Sequence, residues 1–231
     1  MQAVIDASLA RLREYPNLIR VTLADLREKN DKGRKIEPWK EDQLNRFGIL
    51  LAQNAIELER AFTERNEYKT AWVARNMLEL SVWVRYCNLS DAHGKRFRVD
   101  GARDLVGVYE AFAKLHFDKI KHDLPKMDKA TQDMEAIIKS EFGVTTVGTT
   151  YERVAKAASD VGENKFETLN KIFSKFAHPT AWVVASLHFE EFENFKAMFL
   201  IEGTMQGNIA LNAIRMFLLK HYSTTAGATN P

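Results

Sequence analysis

The stretch YKTAWVARNMLELSVWVRYCNL, residues 68–89, decides the fold. Drawn as a helix, it places Trp72, Met77, Leu78, Leu80, Val82, Trp83, Val84, Tyr86 and Cys87 on nearly every side. A helix without a broad polar face belongs inside a bundle, walled in by other helices. The residues before it supply one such wall. Leu44, Phe47, Leu51, Ala55, Leu58 and Phe62 recur at spacings of three and four, which predicts an amphipathic helix over about 39–67. Between Pro38 and Pro125 lie 86 residues without a proline, a length that suits long helices.

Working outward, residues 90–101 (SDAHGKRFRVDG) are polar and read as a loop. A third long helix is expected over 102–122, with Leu105, Tyr109, Phe112, Ala113, His116 and Ile120 on one side. A weaker helix spans 127–142, stopped by Gly143, and 144–150 (VTTVGTT) reads as strand or loop. Helical periodicity resumes at Tyr151, breaks near Gly162 and returns over 164–178. Two last segments, 180–201 and 204–222, are rich in Phe, Met and Leu. Near the start, residues 3–12 form a short periodic segment that Pro16 is expected to end, as the other prolines end or open theirs. The expected organisation is an N-terminal helical segment 1–38, a helical bundle 39–222 and a disordered small-residue tail 223–231. Helices joined by polar loops, without alternating strands, make this an all-α, multi-helix bundle of a single domain.

Composition excludes several function classes. Lys and Arg total 33 against 31 Asp and Glu, so a net charge of +2 gives no bulk attraction to nucleic acid or to an anionic membrane. One cysteine, Cys87, rules out an internal disulfide and a Cys-rich zinc site. The N-terminus lacks the apolar core of a signal peptide, and no apolar run approaches the roughly 20 residues that span a bilayer. A cytoplasmic protein with no membrane association is expected. No Gly-x-x-x-x-Gly-Lys, Gly-x-Gly-x-x-Gly or Gly-x-Ser-x-Gly is present, nor the repeated Glu-x-x-His of a di-metal bundle. Neither a cofactor nor a metal is therefore expected. Gly203-x-x-x-Gly207 marks a turn or a close helix crossing, and Gly94-Lys-Arg-Phe-Arg98 is a basic cluster of the kind usually solvated in a loop.

Two constellations carry chemistry. Arg75 and Glu79 lie about 40° apart on the helical wheel, in line with Tyr68, Trp72, Val82 and Tyr86. A charged pair inside an aromatic stripe needs partners, because breaking a buried pair costs roughly 3–5 kcal/mol. Arg before Glu at i, i+4 is the weaker order for a self-contained pair, so each group is expected to reach for another helix. A structural ion pair that fixes register and a polar site lining a cleft both fit. The second constellation is Ser174-Lys-Phe-Ala-His178-Pro-Thr180. Phe166, Leu169, Phe173 and Phe176 make an apolar face, with Lys171, Ser174, Lys175 and His178 on the other side. Pro179 biases His178 out of helical geometry. A histidine there suits the helix C-terminal dipole, and beside two ammonium groups it also suits acid–base work next to a phosphate.

Arg75-x-x-x-Glu79 followed by Ser174-x-x-x-His178-Pro-Thr180 resembles uncharacterised bacterial all-α proteins related to the HEPN superfamily of helical RNases and nucleotide-binding bundles. The resemblance covers roughly residues 40–190. It implies a metal-independent RNase or an RNA-binding protein of defence or stress response. The family motif is an Arg, a spacer of four to six residues, then a His that works on the ribose 2′-hydroxyl. Here the basic residue six positions clear of His178 is Lys171, and lysine lacks the bidentate fork of arginine. Arg75 is the guanidinium that would stand in from another helix. On this reading Arg75, Glu79, Lys171 and His178 are catalytic, while Ser174, Lys175, Thr180 and Trp72 bind. RNA is the expected partner, with no DNA specificity legible.

A homodimer is also expected. Phe189, Phe192, Phe195, Phe199, Met205, Met216 and Phe217 give the final third more apolar surface than one helix face needs. Two other readings stand beside the nuclease: a non-catalytic dimeric interaction protein of the same fold, and a small-ligand binder with an aromatic pocket around Trp72, Trp83 and Trp182.

Overall fold

The computed structural model describes residues 1–33, 35–120, 152–178 and 191–222, together with single positions between 125 and 140. These are helical with connecting turns, and no strand occurs among them. Helices α1 (Gln2–Lys32), α2 (Pro38–Thr63) and α3 (Glu67–Leu89) run up, down and up. Helix α4 (Asp91–Ile120) follows, then the short α5 (Val154–Asp160), α6 (Phe166–Ala177) and α7 (Glu191–Tyr222). The chain is an all-α multi-helix bundle, as its periodicity predicts. The predicted segments 127–142, 144–150 and 180–190 and the tail 223–231 fall mostly or wholly outside the described residues, as do Thr180 and Trp182.

Helix α3 is the hub, packed by α2, α4, α5, α6 and α7. Its Ala71, Val73, Ala74, Met77, Leu78, Val82 and Val84 are buried on several sides, which is what an all-round apolar sequence requires. Helix α7 lies parallel to α3 and to α1, closing a four-helix core with α2. The α3–α7 crossing is close because α7 offers glycines where side chains would collide. A Cβ on Gly203 would sit 2.7 Å from Leu58 and 3.2 Å from the Ala74 backbone. One on Gly207 would sit 2.5 Å from Met77 and 2.7 Å from the Tyr15 ring. Of the two readings of Gly203-x-x-x-Gly207, the close crossing is the one that forms. Two hydroxyls in the seam are satisfied locally: Tyr15 donates to the Thr204 carbonyl at 2.8 Å, and Ser81 donates to Gln206 Oε1 at 2.6 Å. Asn88, by contrast, donates to the Ala213 carbonyl while its buried Oδ1 has no partner among the described residues.

Three boundaries differ from the sequence reading. Pro16 does not end α1 but lies inside it. The lost hydrogen bond and the ring clash cost about 3 kcal/mol, which the burial of Leu12, Tyr15, Ile19 and Leu26 against α2 and α7 offsets. Helix α7 runs without a break through 201–204, since a glycine buried in a crossing need not be a stop. The largest difference is at 90–101, which is helix rather than loop. Ser90 is extended (φ −163°, ψ 169°) and separates α3 from α4, while its Oγ accepts the His93 backbone N–H. Gly94 lies against Trp39, Phe97 packs at a tilt against Phe47 and Trp83 at 5.3 and 4.9 Å, and Arg98 donates to the Trp39 carbonyl and Asp42. The basic cluster is thus largely structural: its aromatic is in the core, and Arg96 and Arg98 pair with Asp100 and Asp42.

At the same end of the bundle the buried Lys40 ammonium is 2.7 Å from Asp91 and sits over the Phe217 ring at 4.7 Å. The hydrogen bond from Lys40 holds the Asp91 carboxyl below the usual carboxylate range. A lowered carboxylate contributes stability that is present above its unfolded value, near 3.9, and is lost as pH falls through the folded value. Urea denaturation across the acid range is expected to show a smaller acid-side loss for Asp91→Asn than for the wild type. The crossing makes its own demand. Gly207→Val is expected to lower unfolding free energy by about 1–3 kcal/mol, read from the urea midpoint at constant slope.

Candidate functional site

Helix α6 places the second constellation. Phe166, Leu169, Phe173 and Phe176 are its buried face. Phe173 meets Phe199 of α7 edge-on at 5.7 Å, and Phe176 lies 4.8 Å from Phe199 and 5.0 Å from Phe195. Two polar contacts set its direction on α3. Just before α6, Glu163 pairs with Arg85 at 2.7 Å; just after it, His178 Nε2 lies 3.4 Å from Arg75 Nη1. Arg85 and Arg75 are ten residues apart, about 15 Å along α3, so α6 runs antiparallel to it. The helix stops at Ala177 because His178, the residue before Pro179, is extended (φ −122°, ψ 146°).

Three of the four expected catalytic residues therefore meet. Arg75 Nε donates to Glu79 Oε1 at 2.9 Å, and the same guanidinium faces the His178 imidazole. The pair closes along α3, and Arg75 also reaches across to His178, as was expected of it from the order of the pair. It is also less buried than the surrounding stripe suggests: the side chains of Arg75 and Glu79 are 28% and 30% exposed, and His178 is exposed. The stripe changes character along its length. Val82 and Tyr86 are buried, Arg75 and Glu79 form a rim, and Trp72 stands out into solvent, 51% exposed, one turn before Arg75. Helix α6 ends at this level, so it does not cover the rim.

Lys171 does not join the trio. It is exposed on the outer face of α6, seven residues and roughly 10 Å along the axis from His178. Lys175 is exposed on the same side, and Ser174 is half-buried one turn before His178. Trp72 and Trp83 are eleven residues apart, roughly 16 Å along α3, and Trp83 packs into the core against Phe97 and Tyr86. They do not line one pocket. Asn170, two turns before His178, was missed by the sequence reading. Its Oδ1 is buried with no hydrogen-bond partner among the described residues. An asparagine on the polar side of an amphipathic helix carries no signal that sets it apart.

The chemistry of the rim follows from its donors and acceptors. A guanidinium only donates, so this contact sets His178 Nε2 on the accepting side. Glu79 fixes the guanidinium through Nε, and the Nη2 group, without a partner among the described residues, suits an oxyanion. Other candidates are poorly placed. Burial pushes the Cys87 thiol up, away from a reactive thiolate, and Gln43 donates to its sulfur at 3.3 Å. Burial, with Glu152 beside it, pushes the Tyr86 phenol up to about 12. No cluster of three or more His, Cys, Asp or Glu suited to a metal occurs among the described residues. No helix among them is long and apolar enough to cross a membrane. No family model, curated protein or solved structure matches the chain, so the arrangement stands on its own geometry.

An ion pair this exposed is worth less than about 1 kcal/mol, against roughly 3–5 kcal/mol for breaking a buried one. Glu79→Gln is accordingly expected to move the unfolding free energy by less than about 1 kcal/mol in urea denaturation. A loss above about 3 kcal/mol would identify the pair as structural.

Proposed function

We propose that this chain is a HEPN-like helical bundle acting on RNA as a metal-independent endoribonuclease, with its site at the rim between α3 and the end of α6. The observation that carries the reading is the meeting of Arg75 and His178, 103 positions apart in the chain, with Glu79 bound to the guanidinium. It answers the absence of an arginine at the family spacing, because a guanidinium reaches the imidazole from another helix.

In the proposed reaction the Arg75 fork turns from His178 to the phosphate, which frees Nε2 to take the proton of a ribose 2′-hydroxyl, and the 2′-oxygen attacks the adjacent phosphorus. The Arg75 fork binds the non-bridging oxygens as charge builds on them, and Glu79 positions the fork. The bond from phosphorus to the 5′-oxygen breaks, and that oxygen takes a proton from solvent. The products are a 2′,3′-cyclic phosphate and a 5′-hydroxyl. Trp72 offers an exposed indole on which a base beside the scissile phosphate stacks, and Lys171 and Lys175 lie on the side where neighbouring phosphates pass.

The test is incubation of the purified protein with single-stranded and structured RNA in the presence of a chelator, with end-group analysis of the products. Cleavage to cyclic phosphate ends is expected, falling about 10²–10⁴-fold in His178→Ala. Because His178 is exposed, the same variant is expected to keep its melting temperature. Absence of cleavage, or equal cleavage by His178→Ala, would sink the reading.

A further inference from the structure

A second charged corner lies at the end of α3 away from the rim, where α2 and α7 meet the start of α4. The Lys40 side chain is 7% exposed, and its ammonium pairs with Asp91 at 2.7 Å and sits over the Phe217 ring at 4.7 Å. A buried ammonium needs an anion beside it, yet this anion stands in water, its side chain 64% exposed. Further cations act on the same place. The hydrogen bond from Lys40, with Lys95 and His221 close by, holds the Asp91 carboxyl below the usual carboxylate range. The His221 ring lies 4.2 Å from Phe217. Burial and the charges of Lys40, Lys220 and Lys35 push its imidazole down, against the pull of Asp91. Lys220 and His221 suit the C-terminal dipole of α7. Lys35, Lys40 and Lys95 lie outside that helix, and a net charge of +2 gives the chain no general excess to place here. Glu41, the residue after Lys40, is taken by the Asn30 amide. Like charges held this close oppose folding, so packing alone does not call for them.

We propose that this corner binds a dianionic phosphate group, free or esterified, with Lys40 as its buried anchor and Lys95 and His221 beside it. The Asp91 carboxylate marks the position. One of its oxygens meets the ammonium, and so exposed a side chain is able to swing into solvent and yield that place. The Trp39 and Phe217 rings lie 5.8 and 4.7 Å from the ammonium, and the ligand enters on the Asp91 side. A phosphate dianion brings one more negative charge than the carboxylate it displaces. Its three terminal oxygens give Lys40, Lys95 and His221 an acceptor each. Asp91 also opens α4, whose positive end favours an anion at the same position. Arg75 lies 14 residues before Leu89, the last of α3, roughly 21 Å along the axis. The corner is therefore separate from the rim and does not depend on the reading given for it.

Histidine ring signals in NMR spectra of the full chain, in about 0.15 M NaCl at constant pH, read the two places separately: His221 at the corner, His178 at the rim. The His221 signal is assigned by its absence from His221→Gln. Inorganic phosphate and adenosine 5′-monophosphate are titrated in turn. The His221 signal is expected to move and saturate, with a midpoint below about 1 mM. A midpoint at least about tenfold lower for the nucleotide identifies a phosphate ester as the ligand, and one no lower identifies free phosphate. Asp91→Asn is expected to lower the midpoint about tenfold, because the competing carboxylate is gone. Lys40→Met is expected to raise it at least about tenfold while leaving the melting temperature within a few degrees, since methionine fills the buried stem. Should Lys40→Met fail to fold, Asp91→Asn still decides. A His221 signal unmoved in the wild type at about 10 mM of either compound overturns the proposal. So does a midpoint that Asp91→Asn raises, or a shift that Lys40→Met leaves intact or that added NaCl reproduces, which is charge screening only.

Discussion

Two glycines on α7 let one helix lie so close to another that everything else in the bundle is arranged around the contact. Gly203 and Gly207 bring the α7 backbone against Ala74, Met77 and Tyr15, where any Cβ would collide. Close approach puts Ser81 within reach of Gln206 and the Tyr15 hydroxyl within reach of the Thr204 carbonyl. These two hydroxyls therefore do not go unpaired, which would cost roughly 1–3 kcal/mol each. The cost of glycine in a helix interior, about 1 kcal/mol relative to alanine, is small beside the area that the crossing buries.

The candidate site is a by-product of where packing stops. Helix α6 buries four large side chains against α3 and α7 and ends where Pro179 turns His178 out of the helix. That ending leaves one turn of α3 uncovered by α6, and the turn carries Arg75. The same aromatic stripe is therefore core at Tyr86 and surface at Trp72. A polar rim at the edge of a rigid contact is a good place for chemistry. Its groups are held from behind by the bundle, and their outer faces meet solvent.

How much of this was legible in the sequence varied with the kind of signal. The central position of α3 followed from apolar residues on all sides, and the extent of α2 followed from its three-and-four spacing with Pro38 at its first turn. The extended His178 followed from Pro179. Local polarity was a poor guide at 90–101, because what holds that segment helical is tertiary: Trp39 over Gly94, and Phe47 and Trp83 around Phe97. Pro16 misled for a similar reason, since a break signal of about 3 kcal/mol was set against packing that no local window contains. The meeting of Arg75 with His178 was beyond reach for a different reason. Spacing along one helix can be counted, but the register between α3 and α6 is fixed by Glu163, Arg85 and the phenylalanines beneath.

Between the end of α3 and the start of α7 lie residues 90–190, and this separation sets the order in which the core is completed. Helices α1 to α3 are neighbours in sequence and dock through local contacts, which form early. The fourth corner waits for the chain to return from far away. During synthesis the sides of Tyr15, Ala74 and Met77 that α7 covers stay open until residues 90–190 have been made and the glycines of α7 have left the ribosome. Until then the nascent chain carries an uncovered three-helix face, the kind of surface that chaperones hold and that aggregation exploits.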